Sequence, residues 1–231
     1  SMALAERLDA PVCVGYQHND AFPGSHRLFA GPLGYNGSKA AMELISKADV
    51  VLALGTRLNP FSTLPGYGLD YWPKQAKIIQ VDINPNRIGL TKKVTIGIVA
   101  DAKKVAESIL AKLSANAGNT DREERKNLIS TTKSRWAQEL SSMDHEDDDP
   151  GTTWNQRARA AKPDWMSPRM AWRAIQSALP KNAIISSDIG NNCAIGNAYP
   201  TFEEGRKYLA PGLFGPCGYG LPSIIGAKIA C

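Results

Sequence analysis

The sequence predicts an α/β protein with two domains, each built on a parallel sheet. Through the first 115 residues, short apolar runs alternate with helical patterns, which is typical of the strand–helix–strand units of a doubly wound sheet. An acidic run at 144–149, followed by Pro-Gly, indicates a surface linker. A second pattern of the same kind begins near Pro163. We therefore expect a first domain in residues 1–150 and the truncated beginning of a second in residues 151–231.

The strands of the first domain are predicted from short apolar runs bounded by turn-forming residues. The predicted strands are 11–15, 50–54, 77–83 and 94–99. We expect the last three to be buried, because a parallel sheet is usually covered on both faces.

The helices of this domain are predicted from apolar spacing and from capping residues. Residues 38–48 form a helix that a serine opens, and residues 101–113 form one that Asp101 caps. Residues 3–8 resemble the end of a helix whose start is missing. Residues 121–142 form a longer amphipathic helix.

Two further elements are predicted in the second domain. Pro168 follows a serine, which is a strong helix start, and leads into a helix over 170–179. A strand is predicted at 183–187, followed directly by Asp188. The chain then finishes inside an apolar helix, 224–230, so we expect the domain to be cut short.

The composition excludes several classes of function. The formal charge is +5, but the lysines and arginines are mixed with acids, so no nucleic-acid partner is expected. No run approaches the roughly 20 apolar residues of a membrane span. The four cysteines lie far apart and the three histidines lack zinc-site spacing, so no metal site is expected within the chain. Free thiols and the absence of a signal peptide predict a cytoplasmic protein.

Candidate ligand residues of the first domain follow its predicted strands, where parallel sheets bind phosphates and nucleotides. The turn at 31–39 is rich in glycine, but its spacing and its order of serine and lysine do not match a P-loop. This turn therefore either borders a nucleotide or packs within the protein. The side chain of Arg57 either holds a phosphate or pairs with a surface acid. The candidate residues for a nucleotide pocket are Gly34, Gly55, Arg57, Asp82 and Asp101.

The segment after the last predicted strand is better suited to a diphosphate. Gly190, Asn191 and Asn192 would offer backbone N–H groups and two carboxamides at the carboxyl edge of the sheet without adding charge. The alternative is an Asx turn that leads into a helix. Further on, residues 212–220 include four glycines, which let the backbone approach a ligand closely. Cys217 among them is a polarizable side chain that suits a ring.

These two segments resemble the start of the diphosphate-binding domain of the acetolactate synthase superfamily of thiamine-diphosphate enzymes. The resembling motifs are Asp188 to Asn192 and, about twenty residues later, Gly212 to Ala230. The first domain is similar to the central domain of that superfamily, an FAD/NAD-binding-like fold. The matching stretches there are 20–26, 31–37, 53–57, 80–85 and 100–102.

The resemblance implies which residues bind the cofactor. The residues so implied are Gly190, Asn191 and Asn192 beside the diphosphate, and Gly215 and Cys217 along the aminopyrimidine. The Mg²⁺ motif of the superfamily is expected beyond Cys231, so no metal ligand is expected here. The resemblance also implies that the glutamate that activates the cofactor belongs to an N-terminal domain, which we expect to lie outside this sequence. We therefore expect no catalytic residue in the chain, and no activity from the chain alone.

Other stretches are similar to one acetyltransferase branch of the superfamily, which cleaves sulfoacetaldehyde with phosphate to give acetyl phosphate and sulfite. They are 58–68, 164–169 and 193–196. This resemblance implies small-molecule substrates and a homodimer or homotetramer, because each site draws on two subunits. The stretch that contacts flavin in acetolactate synthases differs here at 57–61, so FAD is not expected.

Three alternative interpretations remain open at this point. A carboligase or decarboxylase of the acetolactate synthase type would share the superfamily motifs. A stand-alone nucleotide-binding module would use Gly34, Arg57 and Asp82. A structural or oligomerisation segment would need no ligand.

Overall fold

The computed structural model describes residues 1–113, 122–145, 168–212 and 214–231. The strands in these ranges are β1 Val12–Val14, β2 Phe29–Pro32, β3 Val50–Leu54, β4 Lys77–Asp82, β5 Ile96–Val99, β6 Ile185–Ser186 and β7 Tyr208–Leu209. The helices are α1 Met2–Leu8, α2 Lys39–Ser46, α3 Ala102–Lys112, α4 Arg122–His145, α5 Pro168–Ala178, α6 Asn191–Ala198 and α7 Gly220–Ala230.

Every strand pair formed by the described residues is parallel. β1 pairs with β2, β4 lies between β3 and β5, and β6 pairs with β7. Parallel neighbours require a crossover connection, which the helices and loops between them supply. The predicted α/β class with parallel sheets is confirmed. The strands of the first domain fall into two hydrogen-bonded groups rather than one.

The short helix α2 anchors the core of the first domain. Ser38 caps it, since its Oγ accepts a hydrogen bond from Ala41 N at 3.2 Å. Ala41 and Met42 are fully buried and pack with Leu28 and Phe29 in one cluster. A helix this short is marginal alone, so this burial is what stabilises it.

The long helix α4 returns to pack against α2. Ile129 is buried in the same core cluster. Lys39 Nζ lies 2.8 Å from Glu139 Oε2, and Arg135 pairs with Glu43. These contacts place α4 with the first domain.

The two parts of the chain meet along a buried set of polar residues between the β1–β2 loop and α6. Asn197 accepts a hydrogen bond from Gln17 N and donates one from Nδ2 to Tyr35 O at 3.1 Å. Asn19 Nδ2 donates to the backbone oxygens of Asn197 and Pro200 at 2.6 and 3.1 Å. The residues that we call the polar seam are Gln17, Asn19, Cys193 and Asn197, and all are buried.

A second contact between the two parts covers the edge of β7. Asp20 Oδ2 accepts hydrogen bonds from Lys207 N and Tyr208 N at 2.8 and 3.2 Å. Ser25 donates from N and Oγ to the carboxylate of Glu203 at 3.0 and 2.6 Å. The loop after β1 thus satisfies backbone donors beside β7, which has a strand partner on one side only in the described part of the chain.

Some predicted strands have other limits in the structure, and two strands were not predicted. The strand expected at 183–187 is reduced to β6, and the one expected at 94–99 begins at Ile96. β2 takes up Gly31 of the glycine-rich turn, and β7 has two residues. Neither β2 nor β7 has an apolar run long enough to indicate a strand, because glycine and proline weaken the pattern.

The predicted burial of the last three strands of the first domain is only partly right. Ile78 and Val81 of β4 are buried. Val50 of β3 is 48% exposed, and Ile96 and Val99 of β5 are 51% and 58% exposed. Among the described residues, β3 and β5 are the edges of their three-stranded sheet, and each has a strand neighbour on one side only.

The acidic run predicted as a linker begins inside a helix, because α4 continues through His145. The rest of the run lies outside the described residues. So do the expected domain boundary near residue 150, the start of the second pattern at Pro163, and the serine before Pro168. Pro168 itself begins α5, as predicted.

Candidate functional site

The candidate diphosphate residues lie at the carboxyl edge of the β6–β7 sheet. β6 ends at Ser186, and the chain turns through Asp188 and Gly190 before α6 begins at Asn191. Gly190 has φ 115° and ψ −162°. Only glycine adopts this conformation readily, so the sequence permits a tight turn from strand to helix.

The N-terminus of α6 is open to solvent. Gly190, Asn191 and Asn192 are exposed, and no side chain of the described residues caps the helix. The N–H groups of a first turn have no partner within the helix, and they carry the positive end of its dipole. The two carboxamides add hydrogen-bonding groups without adding charge. This arrangement suits an anionic group.

Asp188 joins the turn before α6 to the glycine-rich loop at 212–220. Its carboxylate accepts hydrogen bonds from Gly220 N, at the start of α7, and from Gly218 N at 3.0 Å. These two bonds, the one from Gly220 first, hold the pKa of Asp188 below its usual value. The ionised carboxylate therefore fastens the two segments to each other.

Gly215 and Cys217 lie on the same edge of the sheet. A Cβ on Gly215 would stand 3.1 Å from Ile189 Cδ1, and its φ is 60°. Cys217 is exposed and precedes Gly218, which is bonded to Asp188. The structure thus brings together the two segments that the sequence singles out. Their binding role stays a prediction.

Three candidates for a nucleotide pocket gather at the carboxyl edge of the β3–β4–β5 sheet. Gly55 follows β3 with φ 62°. Asp82 is buried, and its Oδ1 accepts a hydrogen bond from Asn84 N at 2.8 Å. Asp101 caps α3 by accepting from Lys104 N at 2.9 Å. Both carboxylates are therefore used to order the chain's own backbone.

Arg57 lies on the loop after Gly55, and its backbone oxygen accepts a hydrogen bond from Thr91 Oγ1 at 2.9 Å. Gly34 lies away from this edge, against the segment 58–68. A Cβ on Gly34 would stand only 1.8 Å from Phe61 O. What approaches Gly34 closely is therefore the backbone of the chain itself.

A cleft of about 530 Å³ lies between the loop after β1 and the segment that leads into β7. Its lining includes His18, Asp20, Phe22, Glu203, Arg206 and Tyr208. None of the predicted cofactor residues lines it, and both of its acids already accept hydrogen bonds from the protein. We therefore take the open glycine-rich edge as the candidate site.

The described ranges contain no group of three or more histidine, cysteine, aspartate or glutamate side chains that could hold a metal ion. Within the same ranges, no helix combines the length and the apolar character that crossing a membrane requires.

Two stretches of the chain match domains of one family. Residues 1–109 match the central domain of the thiamine pyrophosphate enzymes, and residues 188–231 match their C-terminal TPP binding domain. The two matches follow each other along the chain, and the second contains the glycine-rich edge. The chain therefore belongs to the thiamine pyrophosphate enzyme family, and the predicted superfamily is confirmed.

Within the family, the chain is similar to sulfoacetaldehyde acetyltransferases. The one from Roseovarius nubinhibens is 85% identical over 99% of this chain and 38% of that protein. The one from Rhodobacter capsulatus is 80% identical over 100% of this chain and 39% of that protein. A probable acetolactate synthase large subunit of Methanocaldococcus jannaschii is 31% identical over 99% of this chain and 36% of that protein. The chain spans less than two fifths of the length of these relatives.

The residues at the glycine-rich edge fit the diphosphate of thiamine diphosphate. The turn at Gly190 leaves the first-turn N–H groups of α6 uncapped. The nearby acid, Asp188, accepts hydrogen bonds from the loop at 212–220. Its negative charge therefore interacts with backbone N–H groups of the protein.

Two features of this site were not predicted from sequence. The first is the joining role of Asp188, for which the signal was an acid directly after a strand and ahead of two glycine-rich segments. The second is the polar seam behind α6. Its partners are separated by about 180 residues, so local sequence patterns carry no signal for it.

Proposed function

We propose that this chain is the central domain and the beginning of the diphosphate-binding domain of a thiamine-diphosphate-dependent sulfoacetaldehyde acetyltransferase. The observation that carries the proposal is the 85% identity to the Roseovarius nubinhibens protein of that name across nearly the whole chain. The full enzyme would convert sulfoacetaldehyde and phosphate into acetyl phosphate and sulfite. In this proposal residues 1–150 and 151–231 are the two domains.

The cofactor would be held by the two segments that Asp188 joins. Gly190, Asn191 and Asn192 would bind the diphosphate, because open N–H groups and carboxamides donate to phosphate oxygens. Gly215 and Cys217 would lie along the aminopyrimidine, where glycine permits close approach and sulfur offers a polarizable contact.

Bound thiamine diphosphate would supply the carbon nucleophile of the reaction. The contribution of this chain would be to bind and orient. Asp188, like an ordinary aspartate, is ionised through the neutral range, and the hydrogen bonds from Gly220 and Gly218 lower its pKa further, so its carboxylate would keep these two glycines in place. We assign proton transfer to residues outside this chain.

We also propose a wider setting for the full enzyme. Mg²⁺ would bind with the diphosphate through residues outside this chain, and the enzyme would be a cytoplasmic homodimer or homotetramer. The free cysteines support a reducing compartment. FAD would not be needed, and the backbone of Phe61 against Gly34 supports this, because it fills the space beside that turn.

An activity assay of the full-length protein tests the proposal. With thiamine diphosphate, Mg²⁺, sulfoacetaldehyde and phosphate, we expect acetyl phosphate and sulfite in equal amounts. The matched reaction contains pyruvate as the only carbon substrate. Acetolactate from pyruvate, without sulfite from sulfoacetaldehyde, would identify a carboligase of the acetolactate synthase type instead.

Calorimetry on the 231-residue chain tests whether the cofactor site is divided between this chain and other residues of the full enzyme. We expect no micromolar binding of thiamine diphosphate with Mg²⁺, since the proposal assigns the metal ligands and the pyrimidine-binding domain to other residues. Micromolar binding would show that this chain holds a complete site.

A further inference from the structure

The orientation of α6 depends on its surroundings. The helix has eight residues, and a helix of this length does not hold its own conformation in water. Its N-terminal residues Gly190, Asn191 and Asn192 are exposed, so they are not fixed by packing. Apart from the turn at 187–190 that connects the helix to β6, the contacts that position its first-turn N–H groups lie on its buried face.

The buried face of α6 is held by the first domain. Asn197 is completely buried, and its side chain bonds to Gln17 N and to Tyr35 O. Cys193, one turn nearer the N-terminus, is also completely buried and accepts a hydrogen bond from Gln17 Nε2 at 2.8 Å. Asn19 Nδ2 bonds to the last turn through the backbone oxygen of Asn197.

These contacts restrict the orientation of α6 as well as its distance from the first domain. Asn197 uses its oxygen as an acceptor and its nitrogen as a donor at once, so a rotation or a slide of α6 would break bonds of both kinds. A buried polar group that loses its partner is costly, whereas an apolar contact tolerates small shifts. The polar seam therefore fixes one orientation of the helix.

We propose that Gln17, Asn19 and Asn197 are positioning residues for the cofactor diphosphate, because they set the orientation of α6 from behind. None of them is among the residues predicted to bind the diphosphate. This inference rests on the proposed function, since it concerns the residues that would bind the same cofactor. It assigns part of the cofactor affinity to the loop between β1 and β2 of the first domain.

The test compares Asn197→Ala and Asn19→Ala with the wild type in the full-length enzyme. At a temperature where each protein is fully folded, we expect the Kd of thiamine diphosphate to rise about tenfold or more, because a misplaced helix end no longer fits the phosphate. At saturating cofactor we expect kcat to stay within about twofold, because the reacting groups are unchanged.

The matched control is Gln80→Ala. Gln80 is a buried amide that bonds Thr56 O, Arg87 O and Gly89 N within the first domain, away from α6. We expect it to lower the Tm without changing the Kd of thiamine diphosphate. The inference is overturned if Asn197→Ala binds the cofactor like the wild type, or if Gln80→Ala weakens binding equally. If the wild type itself fails to bind thiamine diphosphate, it is the proposed function that fails.

Discussion

At the scale of single residues, the turn between β6 and α6 depends on one backbone conformation. Gly190 combines a positive φ with an extended ψ, and a Cβ there would also stand 3.3 Å from Asn192 Oδ1. Gly226, in the middle of α7, lies in open space instead, because a Cβ there would meet no atom of the described residues within 4 Å. Substitution of the two glycines by alanine therefore gives a matched comparison of how much stability depends on the conformation of Gly190.

We expect Gly190→Ala to lower the free energy of unfolding by about 1–3 kcal/mol, because alanine must adopt a strained conformation. Gly226→Ala should raise it by about 0.5–1 kcal/mol, since alanine in a helix costs less conformational entropy than glycine. Urea denaturation of the three proteins measures both values. Equal stability of Gly190→Ala and the wild type would contradict the geometry of the turn.

At the scale of secondary structure elements, the strands and helices that were predicted correctly are those whose limits follow from local sequence patterns. β3 has the predicted limits, and α2 and α3 begin after the predicted caps Ser38 and Asp101. These elements have continuous apolar periodicity and a capping side chain. β2 and β7 have neither, and they form because neighbouring strands and the loop after β1 offer hydrogen-bond partners. Such partners are set by tertiary structure, which a local pattern does not contain.

The packing of α4 can be tested through one side chain. Ile129 is 3% exposed and lies in the core with α2. We expect Ile129→Ala to lower the free energy of unfolding by about 2–5 kcal/mol, the usual cost of a cavity in a core. Ser130→Ala changes an exposed neighbour on the same helix and should stay within about 0.5 kcal/mol of the wild type. Comparable effects of the two changes in thermal unfolding would show that α4 does not pack on this core.

At the scale of the whole molecule, the two parts of the chain are joined by hydrogen bonds between buried groups. Glycine-rich segments at the edge of β6 and β7 could be located from sequence, because glycine, asparagine and aspartate mark turns by their own chemistry. The seam behind α6 could not, because Gln17 and Asn197 are ordinary polar residues until the fold brings them together. The glycine-rich segments can thus be located from local sequence chemistry, whereas the seam becomes visible only in the tertiary structure.

The four cysteines allow the seam to be monitored in the chain itself. Cys217 and Cys231 are exposed, Cys193 is buried, and burial raises the pKa of Cys13 to about 12. We expect a thiol reagent at neutral pH to modify Cys217 and Cys231 quickly and the other two slowly. Asn19→Ala should speed modification of Cys193 and leave Cys13 unchanged, because only Cys193 lies in the seam. Mass spectrometry of peptides reads out each site, and equal acceleration at Cys193 and at the partly buried Cys13 would indicate general loosening instead.

The close approach of Phe61 O to Gly34 also bears on how this protein can change through mutation. Position 34 has no room for any side chain while the backbone at Phe61 and Ser62 stays where it is. A random library that varies position 34 alone and is selected for folded protein should therefore return glycine almost exclusively. One that varies 58–68 together with it should also recover residues such as asparagine that tolerate the φ of +81° at position 34, since the steric obstacle is a neighbouring loop. Position 34 and the segment 58–68 must therefore change together, although they lie apart in the sequence.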